Sequence, residues 1–170
     1  PPWRCWRSRP RGTLSIRAMV SLSSPLVSVV MPVYDSARFL RDALESVAAQ
    51  THPPAEIVVV DGPSSDATAE IARRFPLVRY LRQTGEGMWN ALNEGVAASR
   101  GDLIAFLSDD DLWEPEKLRL QLELLQRRPE LGYVGGRVIF VKIEGEDLPH
   151  SFRSELLDGD REGYMPEVLL

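Results

Sequence analysis

One cysteine, two histidines and two lysines are all that 170 residues supply of these types, and each scarcity removes a chemistry. Cys5 alone cannot close an intramolecular disulfide, so the fold must hold by packing, and a reducing compartment is the default setting. Neither His52 nor His150 has a second His or Cys at ligand spacing, which speaks against a zinc site. No G-x-G-x-x-G follows a strand-like run and no G-x-x-x-x-G-K-[ST] occurs, so dinucleotide-dehydrogenase and P-loop readings weaken. G-x-S-x-G is missing as well, and serine-hydrolase chemistry with it. No run of about eighteen apolar residues exists, so no transmembrane segment is expected.

What is present suits one compact α/β domain. The chain is 44% hydrophobic with a formal net charge of -5, enough apolar content to fold without staples. The first eighteen residues carry five arginines (Arg4, Arg7, Arg9, Arg11, Arg17) and no acid, and removing those charges leaves the remainder at -10. An acidic body argues against a nucleic-acid-binding surface and fits a protein that presents carboxylates to a cation. Residues 1–24 read as a disordered leader or a non-native extension that plays no part in the fold.

From Pro25 onward apolar runs alternate with helical periodicity. Val27–Val33 is a β-branched run ending beside a proline, as in a buried strand that opens into a loop. Ser36 is a candidate N-cap for a helix carrying Phe39, Leu40, Ala43, Leu44 and Val47, broken by Thr51-His-Pro-Pro54. Glu56–Asp61 is a second strand, and Asp66 is placed to cap a helix running to Phe75. Leu77–Leu81 reads as a third strand. A helix from Gly87 to about Ser99 turns Met88, Ala91, Leu92 and Val96 to one face, then Leu103–Leu107 is a fourth strand. Pro115 opens a helix through Arg128 with Leu118, Leu122 and Leu125 inward, and Tyr133–Val141 is a fifth strand. Such alternation predicts a doubly wound, mostly parallel sheet with helices on both faces. The nucleotide-scale domain spans 25–143, and 144–170 begins a further half that is incomplete at Leu170.

In this architecture ligands bind beyond the carboxyl ends of the strands. Those ends carry Tyr34-Asp35, Asp61 and Asp109-Asp110-Asp111. Three adjacent carboxylates repel one another unless solvent or a cation relieves them. Mg²⁺ or Mn²⁺ takes one or two carboxylates plus substrate phosphates, which this pattern can offer. Read locally, the same triplet is equally a solvated loop capping the next helix. Asp61 can accept from a base N–H or a ribose hydroxyl, or simply form a turn, and Tyr34 can stack on a base or pack.

In order along the chain, Val27-Ser-Val-Val-Met-Pro-Val-Tyr-Asp35, Leu44-Glu-Ser-Val-Ala-Ala-Gln-Thr51, Val58-Val-Val-Asp-Gly-Pro-Ser-Ser-Asp-Ala-Thr68, Gly87-Met-Trp-Asn-Ala-Leu-Asn-Glu-Gly95 and Gly101-Asp-Leu-Ile-Ala-Phe-Leu-Ser-Asp-Asp-Asp-Leu-Trp113 resemble the N-terminal part of family-2 glycosyltransferases. The resemblance implies the GT-A, Rossmann-like fold and an inverting, metal-dependent transfer from a nucleotide diphosphate sugar, UDP-linked by expectation. It further implies a saccharide or lipid-linked acceptor, and a cytoplasmic setting with peripheral association at the inner membrane face. By the same resemblance Pro32, Val33, Tyr34, Asp35, Asp61 and Asp109 would line the nucleotide, with Asp61 bonded to the base. Asp110 would hold the metal, with Asp109 and Asp111 beside it. Two positions depart from the family pattern: Ser108 stands where the first acid often lies, and Gly62 replaces a frequent second Asp. The general base is expected beyond the chain end; Glu155, Asp158, Asp160 and Glu162 match no motif and read as a solvated loop. The competing readings are a donor-binding fragment without catalysis, and a phospho-accepting receiver-like domain whose strand-end lysine neither Lys117 nor Lys142 supplies.

Overall fold

The computed structural model describes residues 25–136. Its elements are β1 (Val27–Val33), α1 (Leu40–Ala48), β2 (Glu56–Asp61), α2 (Thr68–Ala72), β3 (Val78–Arg82), α3 (Met88–Ala98), β4 (Leu103–Phe106) and α4 (Lys117–Arg127). The strands form one parallel sheet in the order β3-β2-β1-β4. The order reverses between β1 and β4, and at such a switch point the loops leaving two neighbouring strands part to opposite sides of the sheet.

The apolar runs explain the two layers. Val27, Val29, Met31 and Val33 of β1, with Ile57 and Val59 of β2, pack against Leu40, Ala43, Leu44 and Val47 of α1, Ala72 of α2, and Leu118 and Leu122 of α4. The alternate residues Val30, Val58 and Val60 pack with Ala91 of α3. Residues facing opposite sides by turns are what a strand's period of two produces when both faces are covered. Gly95 permits the close approach on the α3 side, since a Cβ there would lie 2.4 Å from Val30 Cγ1 and 3.2 Å from Val60 Cγ2.

Pro32 sits in a central strand, where a missing N–H would normally cost a ladder bond. Backbone groups of the even-numbered β1 residues point to β4, as when Val30 C=O accepts from Leu107 N, and those of the odd-numbered ones to β2, as when Val33 C=O accepts from Gly62 N. Pairing with β4 ends at Val30 and Phe106, whereas pairing with β2 runs on to Val33 and Asp61. The proline therefore stands where the β1–β4 ladder has stopped.

Several boundaries differ from the sequence-based ones. Helix α1 starts at Leu40 after Phe39, with no side-chain cap; Ser36 contributes its carbonyl to Phe39 N and Leu40 N while its hydroxyl is engaged elsewhere. Helix α2 stops at Ala72 because Arg74 N and Phe75 N reach back only three residues, to Ile71 and Ala72, tightening the last turn ahead of Pro76. Asp66 lies one residue before the N-cap position, Ala67, and still accepts from Thr68 N at 2.9 Å. Met88, expected inward, is 56% exposed as the first residue of α3. Of the expected fifth strand, Tyr133–Gly136 forms no strand, and the remainder to Val141 lies outside the described residues, as do 1–24 and 144–170. Contacts divide the chain into two units, Pro1–Gly136 and Arg137–Leu170.

At the amino-terminal edge of the sheet a polar network gathers around Glu56, with Arg79 Nε buried in it without a hydrogen-bond partner. Glu56 Oε1 accepts from Ser28 Oγ at 2.8 Å and Arg100 N at 2.6 Å, and its other oxygen lies 3.9 Å from Arg79 Nη1. Ser28 Oγ in turn accepts from Gly101 N at 2.8 Å, and Arg79 Nη2 donates to the Ala98 carbonyl at the end of α3.

Candidate nucleotide and metal site

The carboxyl edge is organised by short polar side chains that tie three loops together. Asp35, which follows β1, has φ 47°, a left-handed conformation that Asp tolerates better than most residues because its short side chain bonds locally. Its Oδ1 accepts from Ser65 N at 2.7 Å and Ser65 Oγ at 3.2 Å, and its N–H donates to Ser64 Oγ at 2.8 Å. Ser36 is the hub: its N–H donates to Thr68 Oγ1 at 2.7 Å, its hydroxyl accepts from Tyr34 N at 3.0 Å and donates to Asp109 Oδ2. Asp66 completes the lattice, accepting from Ala37 N at 2.9 Å and from the Thr68 hydroxyl at 2.5 Å. That last bond holds the Asp66 carboxyl below the usual aspartate value.

Asp109 and Asp61 therefore belong to one connected edge, though their environments differ. Asp109 is half-buried, and Asp110 and Asp111 are exposed. Burial pushes the Asp109 carboxyl upward; the charges of Asp110 and Asp111 push the same way, against backbone N–H groups that pull it down. Asp111 is raised by its partial burial and by Asp110. Among the described residues no ion pair reaches any of the three. Exposed carboxylates at one edge, with no ion-pair partner among the described residues, are oxygen donors of the kind that a hard divalent cation takes together with phosphate. Among the described residues no three His, Cys, Asp or Glu converge tightly enough to hold an ion by themselves.

Asp61 is fully buried. Its Oδ1 accepts from Ser64 Oγ at 2.5 Å, and its Oδ2 accepts from the Tyr80 hydroxyl and from Arg82 Nη1 at 3.1 Å. Burial, then the bond to Asp61, raises the Tyr80 phenol, and donation to the Tyr80 oxygen together with the charge of Asp61 raises Arg82. Tyr34 is 61% exposed, and its ring packs on Gly62, where a Cβ would lie 3.0 Å from Tyr34 Cδ2. The Asp-to-Gly departure thus makes room for Tyr34. Val33 turns its side chain into the core, so only its backbone faces this edge, and Pro32 is partly exposed.

Beyond β3, the Glu94 carboxylate accepts from Thr84 N at 3.1 Å, Thr84 Oγ1 at 2.7 Å, Gly85 N at 3.1 Å and Asn90 Nδ2 at 2.5 Å. The Thr84 hydroxyl, foremost, holds it below the usual glutamate value.

The family described as Glycosyl transferase family 2 matches residues 28–167. The chain belongs to glycosyl transferase family 2. An uncharacterized glycosyltransferase of Rickettsia typhi is 38% identical over 105 residues, covering 61% of this chain and 33% of that protein. One from Nostoc is 36% identical over 111 residues, covering 62% and 34%. The chain thus spans about a third of the length of these curated relatives. Among solved structures, the mannosyltransferase PcManGT from Pyrobaculum calidifontis in complex with GDP-Man and Mn²⁺ is similar at TM-score 0.56 and 28% identity, covering 61% of this chain and 33% of that one. Staphylococcus aureus TarS 1-349 in complex with UDP shares the fold at TM-score 0.57 and 24% identity, covering 71% and 40%. These likenesses bear out the GT-A, Rossmann-like architecture, and family membership removes the receiver-like alternative.

Sequence reasoning missed Ser36 as a cross-link, together with Ser64, Thr68, Tyr80 and Arg82. Ser64 and Thr68 lie inside the segment that carried the family resemblance, so a signal existed for them. Tyr80 and Arg82 become visible only once β2 and β3 are set in register, Asp61 opposite Arg82. Among the described residues no helix is long and apolar enough to cross a membrane.

Proposed function

We propose that this chain carries the donor-binding half of an inverting glycosyltransferase that moves a sugar from a nucleotide diphosphate, UDP by preference, to a saccharide or lipid-linked acceptor. The observation that supports it most is the joining of the β1, β2 and β4 loops at one sheet edge through Ser36, Asp35 and Ser64, with Asp110 and Asp111, which have no ion-pair partner among the described residues, exposed beside them. The PcManGT complex, which holds GDP-Man and Mn²⁺, supports a sugar nucleotide and a divalent ion here.

In this reading Asp110, with Asp109 and Asp111, would hold Mg²⁺ or Mn²⁺. The ion, when bound, neutralises charge on the departing diphosphate. The chain's own residues do the positioning. Ser36 fixes the Asp109 carboxylate by hydrogen bond, so the acidic loop meets the ligand in one orientation. The Tyr34 ring offers an exposed face for stacking, and Asp35, Pro32 and the Val33 backbone shape the nucleoside end near Asp61. In the transfer the acceptor oxygen bonds to the anomeric carbon as the bond from that carbon to the phosphate oxygen breaks; the acceptor proton leaves to a base and the electron pair to the diphosphate.

Calorimetric titration with UDP and Mn²⁺ tests this. The native chain is expected to bind UDP only with the metal present, and Asp110→Ala to weaken that binding by roughly a hundredfold without lowering the melting temperature. Metal-independent UDP binding that Asp110→Ala leaves intact would sink the assignment. Release of UDP from a UDP-sugar then reports turnover.

A further inference from the structure

We infer that Arg82, held by the buried Asp61 carboxylate, is the residue that reads the donor's nucleobase, and that Asp61 is its positioning residue. The inference rests on the donor-binding reading above and deepens it. Asp61 has no exposed surface, and three protein donors already occupy its oxygens: the Ser64 and Tyr80 hydroxyls and Arg82 Nη1. A carboxylate so enclosed orients its neighbours more readily than it meets a ligand.

Arg82 is the neighbour left open. Its side chain is 53% exposed although its partner in the ion pair is 0% exposed. It is the last residue of β3, level with Asp61 in the register, so it projects at the carboxyl edge where the Tyr34 and Asp35 loop also ends. A guanidinium has five N–H donors, and the bond to Asp61 engages only Nη1. The Tyr80 hydroxyl, which accepts from the guanidinium, and the Asp61 carboxylate restrain the near end of the fork, while about half of the side chain stays open to solvent. Gln83, next along the chain, donates from Nε2 to the Gly87 carbonyl at 2.9 Å, fixing the path of the chain just beyond.

Position sets the ligand. Strands β3 and β4 lie at opposite ends of the sheet, three inter-strand steps or about 14 Å apart. A nucleoside diphosphate whose phosphates lie at Asp109 to Asp111 therefore carries its base toward β3. Arginine offers donors and no acceptor. It accordingly selects a base that presents a carbonyl oxygen at its outer edge, such as uracil, over one that presents an amino group there, such as cytosine.

The test is calorimetry on the full chain with Mn²⁺ and three probes: UDP, CDP and inorganic pyrophosphate. Arg82→Gln is expected to weaken UDP about tenfold, to abolish the preference for UDP over CDP, and to leave pyrophosphate affinity unchanged. Arg82→Lys, keeping the charge, retains part of the preference. Asp61→Asn reproduces the loss of preference, with near-ultraviolet circular dichroism confirming the fold. The inference is overturned if Arg82→Gln leaves the UDP-to-CDP ratio intact, if it weakens UDP and pyrophosphate alike, or if Asp61→Asn leaves the base preference unchanged. A native chain that binds neither UDP nor pyrophosphate with Mn²⁺ would overturn the donor-binding reading itself.

Discussion

The two edges of the sheet treat their acids in opposite ways. At the amino edge Glu56 is met by a hydroxyl, a backbone N–H and a guanidinium, so its charge is spent inside the protein. At the carboxyl edge Asp109, Asp110 and Asp111 have among the described residues no ion-pair partner, and Asp109 and Asp111 are raised by burial and then by the charge of Asp110. Asp61 lies between these cases, fully paired yet placed on the open side. Acids whose charge is met inside the protein hold the fold; those without an ion-pair partner among the described residues are the ones proposed for the ligand.

The largest effect that would break this comparison belongs to the amino edge. Glu56→Ala strips the ion-pair partner from Arg79 and the acceptor from two other donors, and should cost about 2–3 kcal/mol of stability, read by denaturant melts, with no change in metal-dependent nucleotide affinity. A loss of nucleotide binding at full occupancy of the fold would show that the two edges are not separable.

Ser36→Ala comes next, because one hydroxyl serves both Tyr34 N and Asp109. The expected cost is about 1 kcal/mol of stability together with a several-fold weaker UDP–Mn²⁺ complex, so this site should couple the two properties that Glu56 keeps apart.

Acidification sharpens the contrast further. The folded-state pKa of Asp109 is raised above its ordinary value of 3.8, so its contribution to stability is complete below that value and is lost as pH rises through the folded pKa. Measured against Asp109→Asn, the metal-free native chain should therefore gain relative stability as pH falls through this window. Metal affinity should decline over the same range, because protons and the cation compete for one carboxylate.

The smallest effect concerns Pro32. Pro32→Val restores an N–H on the β4 side, and longer β1–β4 pairing should follow, seen as slowed amide exchange near Leu107 and a slightly weaker nucleotide complex.

Element types were readable because β-branched runs and helical spacing are local: all four described strands and helices fall where periodicity put them. The corrections share a cause. Ser36 has the composition of a cap, but its hydroxyl is claimed by Asp109, 73 positions away, and no local rule sees that contact. Helix α2 was drawn three residues too long because a tightened last turn keeps helical spacing. The acids at the strand ends were readable as a group, since strand ends define the edge. Their division into paired and unpaired members was not, because it depends on which neighbouring strand supplies the donor, as Tyr80 and Arg82 do for Asp61.

Gly95 carries a mechanical consequence. With no side chain between it and Val30 or Val60, α3 is keyed into two strands at once and cannot slide without prising them apart. Helix and sheet are thus joined as a single plate. The stretch from Gln83 to Gly87, tied through the Thr84 and Gly85 amides to Glu94 immediately before the keyed glycine, marks where that plate ends.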